Sequence, residues 1–263
     1  MLLQDKVAVV YGAAGAIGGA VARAFAAEGA AVFLTGRALA PVQKVAGDIV
    51  FLGGSADAAE VDALDEQAVD GHLQSVLEQA GRVDISFNAV GVPDERILGV
   101  PLTDLDADLF ALPIAEYTRS YFLTARLAAR RMITNRAGVI MTVSALPARM
   151  GSRLNGGYGA AQAAKEALTR DLSAELAPSG IRVVALRPHG MPETSTMREV
   201  FDIKAAPAGM AWEQFAGYLA STTHPGRVMT LDELADVAAF AASDRARGLT
   251  GTVLNLTMGS LDD

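Results

Sequence analysis

Short apolar runs alternate with amphipathic stretches along the chain. The first run, Val7–Val10, is continuous and β-branched, which is typical of a strand buried on both faces of a parallel sheet. Runs of the same type are Ala31–Thr35, Val83–Asn88, Gly138–Ser144, Ile181–Leu186 and Thr252–Leu256. Apolar residues at helical spacing mark Ile17–Ala27, Asp65–Ala80, Asp106–Thr134, Gly159–Ala177 and Leu231–Ala242. This alternation predicts one doubly wound, parallel α/β domain over residues 1–263.

One segment departs from the alternation. Between His189 and Val228 the chain carries Pro192, Pro207 and Pro225, several glycines, and little regular pattern. A long insertion in a compact domain is often a functional loop. We therefore predict a substrate lid at about 189–228. A surface segment that only packs is the alternative.

The composition excludes several classes of protein. Hydrophobic residues make up 51% of the 263 residues and charged residues 20%, as in a globular protein with a large core. A formal net charge of −8 would repel a phosphate backbone, so we expect no nucleic-acid partner. The chain has no cysteine, which excludes disulfides and thiolate catalysis.

Metal and membrane sites have no support in the sequence. Histidines and carboxylates do not pair at ligand spacing, and Asp104 and Asp106 are typical of a solvated turn. No uninterrupted apolar stretch is long enough to cross a bilayer, and the first residues lack the features of a signal peptide. We expect no metal, no membrane partner and a cytoplasmic location.

A glycine-rich loop joins the first predicted strand to the first predicted helix. Gly12, Gly15 and Gly18 allow a tight turn and leave room for a phosphate group. The helix that begins near Ala16 and Ile17 offers free N–H groups and a partial positive charge to an anion. This order of strand, loop and helix predicts a Rossmann-type fold that binds the pyrophosphate of a dinucleotide. A tight turn without a ligand is the alternative.

The end of the second predicted strand distinguishes the two nicotinamide dinucleotides. An NAD site usually has an acidic side chain here, which accepts from the ribose 2′-hydroxyl. This chain has Gly36 followed by Arg37, and a guanidinium suits a 2′-phosphate. We therefore predict NADP(H) in preference to NAD(H). A solvated surface arginine is the alternative for Arg37.

Further short motifs follow the glycine loop in a characteristic order. They are Val61-Asp62-Ala63, Asn88-Ala89-Val90-Gly91, Tyr158 with its helix, Ser179-Gly180-Ile181-Arg182-Val183, Pro225-Gly226-Arg227 and Leu249-Thr250-Gly251. Their order and spacing resemble the short-chain dehydrogenase/reductase family along essentially the whole chain.

This resemblance implies a sheet of about seven parallel strands, a nicotinamide cofactor, and a homotetramer or dimer. It implies the reversible reduction of a small carbonyl compound, with Tyr158 as the proton donor. The residues that it places on the cofactor, besides the glycine loop and Arg37, are Asp62, Ala63, Asn88, Ala89, Gly91, Tyr158, Gln162 and Thr194.

The chain departs from the family where the family has its catalytic lysine. That position, four residues after Tyr158, is Gln162. A glutamine can hydrogen-bond a ribose but has no charge with which to stabilise a tyrosinate. Lys165 lies one turn further along the helix, at a spacing from Tyr158 that resembles the enoyl reductase branch. Because the ungapped alignment of the helix places Gln162 at the lysine position, a structural or subunit-interface role for Lys165 is favoured over rescue.

Other catalytic positions differ as well. Ala145 stands at the family's serine position, so the preceding Ser144 is the candidate donor to a carbonyl oxygen. Tyr117 aligns with the family's asparagine. His189 interrupts the usual Pro-Gly pair and is a candidate acid–base group, with a loop histidine that bonds the backbone as the alternative.

Three hypotheses follow. The first is an NADP(H)-dependent oxidoreductase that acts on a carbonyl, alcohol or imine. The second is a relative with the same fold that performs non-redox acid–base chemistry, as an isomerase, lyase or cyclase. The third is a non-catalytic NADP(H)-binding protein. The glycine loop favours the first and third, and the missing lysine favours the second and third.

Overall fold

A sheet of parallel strands forms the centre of the fold. Residues 1–92 and 97–262 are described by the computed structural model, and within them the sheet has seven strands. These are β1 Val7–Tyr11, β2 Ala31–Gly36, β3 Ser55–Glu60, β4 Ile85–Asn88, β5 Gly138–Val143, β6 Ile181–Pro188 and β7 Thr252–Leu256. Their order is β3-β2-β1-β4-β5-β6-β7. The predicted doubly wound, Rossmann-type sheet is confirmed.

Helices cover both faces of this sheet. They are α1 Ala16–Ala27, α2 Leu39–Phe51, α3 Glu66–Ala80, α4 Ala107–Asn135, α5 Tyr158–Leu176, α6 Ser195–Val200, α7 Trp212–Ser221 and α8 Leu231–Ala242. On one face, Phe25 of α1 and Leu234 of α8 are buried in a single apolar cluster. On the other, Leu73, Leu127 and Leu172 of α3, α4 and α5 share a second cluster. The inner strands β1, β4, β5 and β6 are thus covered on both faces, as their continuous apolar runs predict.

The apolar pattern did not predict β3 or α2. β3 has the sequence SADAAE, and it pairs only with β2 at the edge of the sheet, so it needs no continuous apolar run. α2 contains Pro41 and Gly47, which weaken a helical pattern. Pro41 lies in the first turn, where its missing N–H costs no hydrogen bond, and Val42 and Ile49 are buried on the sheet.

The segment predicted as an irregular lid is largely helical, which corrects the sequence interpretation. The Thr194 hydroxyl caps α6 by accepting from the Met197 N–H. In front of α7, Gln214 Oε1 accepts from the backbone N–H of Ala211. Both helices are short, six and ten residues, so each spans too few turns for a clear periodicity. Phe201 and neighbouring apolar side chains hold them together in a small cluster of their own.

The strand order places a crevice at the carboxyl ends of the strands. The chain proceeds outward from β1 to β3 and then returns to β4 on the other side of β1. Loops that follow β1 and β4 therefore diverge to opposite faces and leave a gap between them. This gap is where ligands bind in open α/β sheets.

Candidate functional site

One cavity of about 780 Å³ occupies the crevice. Its wall includes the loop after β1, the ends of β2, β4, β5 and β6, the start of α5, and one side of the lid segment. A cavity of this volume lies within the range of cofactor and ligand pockets. The site can therefore be described along its length, from the glycine loop to the lid.

The glycine loop forms one end of the cavity. Gly12, Gly15, Ala16, Ile17 and Gly18 all line it. A Cβ on Gly12, whose φ is +74°, would lie 2.6 Å from the carbonyl oxygen of Ala89. A Cβ on Gly18 would collide with the carbonyl oxygen of Gly12. Gly12 therefore lets the loop pack closely against the residue that follows β4, and Gly18 lets α1 pack closely against the loop.

Gly15 has a different role, because a Cβ there would be 3.3 Å from its nearest neighbour. It is the N-cap of α1 and has no side chain with which to cap the helix. The first turn of α1 contains no acidic residue. Its N–H groups and partial positive charge thus face the cavity without a competing protein anion. This cradle fits the pyrophosphate of a dinucleotide.

Arg37, Asp62 and Ala63 lie at the same end of the cavity, on the loops that follow β2 and β3. Arg37 is exposed, and no ion pair to it is found among residues 1–92 and 97–262. The Asp62 carboxylate accepts from the backbone N–H of Leu64 at 2.9 Å, which fixes that turn. A guanidinium at the cavity rim thus remains available to an anionic ligand group.

Asn88 does not lie where the sequence interpretation places it. Ala89 and Gly91 line the cavity, but Asn88 is buried behind it and does not. Its Nδ2 donates to Thr124 Oγ1 at 3.1 Å, and its Oδ1 accepts from the Val90 N–H at 3.3 Å. Because successive side chains of a strand point to opposite faces, the last side chain of β4 points to α4. Asn88 shapes the loop and does not contact the ligand space.

Tyr158 begins α5 and faces the middle of the cavity. The preceding Gly157 lies so close to the carbonyl oxygen of Phe110 that a Cβ would collide with it. This close approach of α5 to α4 places the Tyr158 ring edge-on against the Tyr117 ring, with centroids 5.8 Å apart. Tyr158 thus lines the cavity with its ring held against Tyr117.

Gln162 lies one turn after Tyr158 and is 2% exposed. It lines the same cavity, and its Oε1 has no hydrogen-bond partner among the described residues. A buried amide oxygen without a partner costs free energy, so such an atom indicates a ligand donor in the site. A ribose hydroxyl is a donor of the right kind. The cradle of α1 and this orphaned oxygen thus fit the pyrophosphate and a ribose of a nicotinamide dinucleotide.

The Ser144 hydroxyl already makes a hydrogen bond within the protein. It donates to Glu166 Oε1 at 2.8 Å. Glu166 also accepts from Arg187, at 2.7 Å from Nε and 2.9 Å from Nη2, and both charged side chains are buried. Ser144 lines the cavity. Its hydroxyl would have to break the hydrogen bond to the Glu166 carboxylate before it could donate to a substrate carbonyl oxygen. The geometry therefore does not support Ser144 as the carbonyl donor.

His189 and Thr194 line the lid side of the cavity. His189 Nε2 is 3.0 Å from Thr222 Oγ1 and Nδ1 is 3.2 Å from the carbonyl oxygen of Gly190. Burial lowers the pKa of His189. Thr194 donates to the carbonyl oxygen of Met191 at 2.8 Å, in addition to capping α6. Both side chains are engaged in holding the lid segment, as in the alternative considered for His189.

The sequence did not reveal the buried charges beneath the site. Glu166 and Arg187 lie on an apolar-looking helix face and in a buried strand, where neither residue type is expected. Lys165 is also buried, so it does not lie on an exposed subunit interface. In the sequence, the only indication of this buried ion pair is that charged residues interrupt otherwise apolar patterns. Among the described residues, no cluster of three or more histidines and carboxylates could hold a metal, and no helix is long and apolar enough to span a bilayer.

Comparison with known proteins identifies relatives of this chain. A family model described as enoyl-(acyl carrier protein) reductase matches residues 12–260. The uncharacterized oxidoreductase YxbG of Bacillus subtilis is 32% identical, over 95% of this chain and 88% of its own. The 3-oxoacyl-[acyl-carrier-protein] reductase FabG of Salmonella typhimurium is 28% identical, over 98% of both chains.

A solved structure extends the likeness to three dimensions. The crystal structure of an NAD⁺-bound xylitol dehydrogenase superimposes with a TM-score of 0.90 at 27% identity, over 98% of this chain and 100% of that one. The matching family model, the oxidoreductase relatives and this structural neighbour agree with one another. The chain therefore belongs to the short-chain dehydrogenase/reductase family, whose members are nicotinamide-dependent oxidoreductases.

Proposed function

We propose that this protein is an NADP(H)-dependent oxidoreductase that interconverts a small carbonyl or imine compound and its reduced form, with Tyr158 as the proton donor. One observation carries the proposal. A single cavity is lined by the uncapped N-terminus of α1, by Tyr158 and by Gln162, whose side-chain oxygen has no hydrogen-bond partner among the described residues. Non-redox chemistry would need no such cradle.

Different residues of the chain bind different parts of the cofactor. The N–H groups of the first turn of α1 hold the pyrophosphate, and Gln162 Oε1 accepts from the nicotinamide ribose. When bound, the nicotinamide supplies or accepts a hydride. Asp62 and Ala63 line the adenine end, while Ala89 and Gly91 line the middle of the cofactor path. A cofactor held by these residues would direct its nicotinamide towards the part of the cavity that Tyr158 lines.

Tyr158 acts as the acid in the direction of reduction. Its neutral phenol holds a proton until the carbonyl oxygen gains negative charge, and then transfers it to that oxygen. The edge-on contact with Tyr117 fixes the ring, so the hydroxyl is positioned before substrate binds. We assign His189 no acid–base role in this reaction. Its hydrogen bond with Thr222 instead anchors the predicted lid.

The lid side of the cavity indicates what kind of substrate fits. Several apolar side chains line it beside polar ones, among them Met191, Met197, Phe215 and Leu219. We infer that the substrate carries an apolar portion that packs under α6 and α7. A homotetramer or dimer remains a prediction from the family resemblance, and a cytoplasmic location remains a prediction from the sequence.

Cofactor binding and turnover together test the proposed function. NADPH and NADH are titrated into the protein by calorimetry, and the absorbance of the reduced cofactor is then followed with a panel of ketones, aldehydes and imines. We expect NADPH to bind more tightly than NADH and to be oxidised with at least one substrate class. Tight NADPH binding without oxidation across a broad panel would instead support a non-catalytic or non-redox protein.

Arg37 provides a sharper test of the choice between the two dinucleotides. Arg37→Asp should weaken NADPH binding by about 10- to 100-fold, since a charge-assisted phosphate contact contributes roughly 1.5–3 kcal/mol. NADH binding should stay within a few-fold, because it has no 2′-phosphate. Arg247→Asp makes the same charge change outside the cavity wall and is the matched control. Equal losses for NADPH and NADH would contradict the 2′-phosphate assignment.

A further inference from the structure

Arg153 is a cation in the wall of the cavity that the proposed function does not use. It lies in the β5–α5 loop, which comprises residues 144–157, and it lines the cavity. Its side chain is exposed, and no ion pair to it is found among residues 1–92 and 97–262. The planar guanidinium is the side-chain group best suited to bind a carboxylate or a phosphate. An arginine so placed in a ligand cavity indicates an anionic group on the ligand.

Lys204 of the lid segment brings a second positive charge to Arg153. Its Nζ donates to the backbone carbonyl oxygen of Arg153 at 3.0 Å, and also to Oδ1 of Asn155. Lys204 lines the cavity as well. The carbonyl oxygen of Asn155 accepts in turn from the backbone N–H of Tyr158 at 3.1 Å. Both cations are thus connected to the turn that begins α5, and so to the residue proposed as the proton donor.

The position of Arg153 along the chain limits its distance from Tyr158. Tyr158 follows Arg153 by five residues, so their Cα atoms lie at most about 17 Å apart. The chain between them is not fully extended, because Leu154 and Gly156 have φ values of 58° and 50°. Both side chains line the same cavity. One small molecule can therefore reach the phenol and the guanidinium together.

The distribution of charge along the cavity favours an anionic substrate. The chain has a net charge of −8, yet among the described residues only Asp62 and Glu116 supply carboxylates to the cavity wall. They belong to the loop after β3 and to α4, and not to the β5–α5 loop or the lid segment. At the glycine-loop end, the proposed function assigns Arg37 to the cofactor. The charges of Arg153 and Lys204 are left for the substrate.

We propose that the substrate is a carbonyl compound that also carries an anionic group, a carboxylate or a phosphate, and that Arg153 binds this group beside Lys204. This rests on the proposed function, because it assumes that Tyr158 donates a proton to the carbonyl oxygen. The portion of the substrate between the two groups packs on apolar side chains of the lid, such as Met197 and Phe215. Arg153 thereby determines which end of the substrate faces Tyr158.

Matched pairs of substrates test the proposal in the protein with NADPH. A series of oxo carboxylic acids of increasing chain length is compared with their methyl esters, and phosphorylated ketones are compared with the corresponding unphosphorylated alcohols. In at least one pair, we expect kcat/KM for the anionic member to exceed that for the neutral member by about tenfold or more. The pair that shows this difference distinguishes a carboxylate from a phosphate. Equal values in every pair would overturn the proposal.

Variants of two arginines in the same loop assign the preference to one residue. Arg153→Met should abolish it, mainly by raising KM for the anionic member, while the neutral member changes only slightly. Arg153→Lys keeps the charge without the planar fork and should retain part of the preference. Arg149→Met removes a positive charge from the same loop outside the cavity wall and should keep the preference. Equal losses in Arg149→Met and Arg153→Met would overturn the role of Arg153.

A binding measurement without turnover separates this inference from the proposed function. Hexanoate, hexyl phosphate and the neutral hexanamide are titrated by calorimetry into the protein in the presence of NADP⁺. An anion that binds more tightly than hexanamide, and that loses this advantage in Arg153→Met, would support the anion site even if no carbonyl compound is reduced. Reduction of neutral and anionic substrates with equal kcat/KM, and no preferred anion, would overturn the role of Arg153 alone. Neither anion binding nor reduction would overturn both proposals.

Discussion

Tyr158→Phe is expected to lower kcat for reduction by about 10²- to 10⁴-fold, which is the usual contribution of a positioned general acid. The variant removes only the hydroxyl, so the ring can keep its edge-on contact with Tyr117 and the fold should be unchanged. NADPH binding should fall only slightly, because the α1 cradle and Gln162 remain in place. Steady-state kinetics and calorimetry measure the two effects separately.

A matched control is Tyr218→Phe, which removes the same atom from an exposed tyrosine at the lid side of the cavity. It should change KM more than kcat, since a lid residue can contact substrate without transferring a proton. Undiminished kcat in Tyr158→Phe would show that the proton comes from another group.

Glu166→Leu is expected to lower the free energy of unfolding by about 3–5 kcal/mol, as for other buried ion pairs that lose one partner. The substitution leaves Arg187 charged and buried, with its Nε and Nη2 deprived of their carboxylate. It also leaves the Ser144 hydroxyl without its acceptor at 2.8 Å. Chemical denaturation monitored by circular dichroism gives the change directly.

Two further variants give this prediction its control. Glu166→Leu combined with Arg187→Met replaces the whole pair with apolar groups and should recover much of the loss. Glu233→Gln breaks the exposed pair with Arg227 and should destabilise the fold far less than Glu166→Leu does. A Glu166→Leu variant as stable as Glu233→Gln would show that Arg187 finds another partner or remains hydrated.

The buried charges explain how this member of the family differs from its ordinary pattern. Gln162 stands at the position of the family's usual lysine, and the buried Lys165, one turn further along α5, donates to the carbonyl oxygen of Val143. Ser144 bonds within the Glu166–Arg187 network. The polar groups around Tyr158 thus differ from the family's ordinary pattern in both residue type and partners.

The patterns along the sequence predicted most of the sheet and the helices that cover it. They succeeded where burial on both faces demands continuous apolar runs, as in Val7–Tyr11. They failed for the edge strand Ser55–Glu60 and for the short helices of the lid, where fewer contacts constrain the sequence. In each failure the neighbouring elements, and not the local pattern, stabilise the segment.

The sequence by itself determined the fold family, the glycine loop and the positions of Tyr158, Gln162 and Arg37. Glycines needed for close approach and residues at set distances from a strand end are local features, so they can be found in the sequence. Only the tertiary structure decided which face Asn88 takes, that Ser144 bonds Glu166, and that the Lys165 amine lies beside Tyr117. Such contacts depend on side chains from separate strands and helices that meet only when the sheet is assembled.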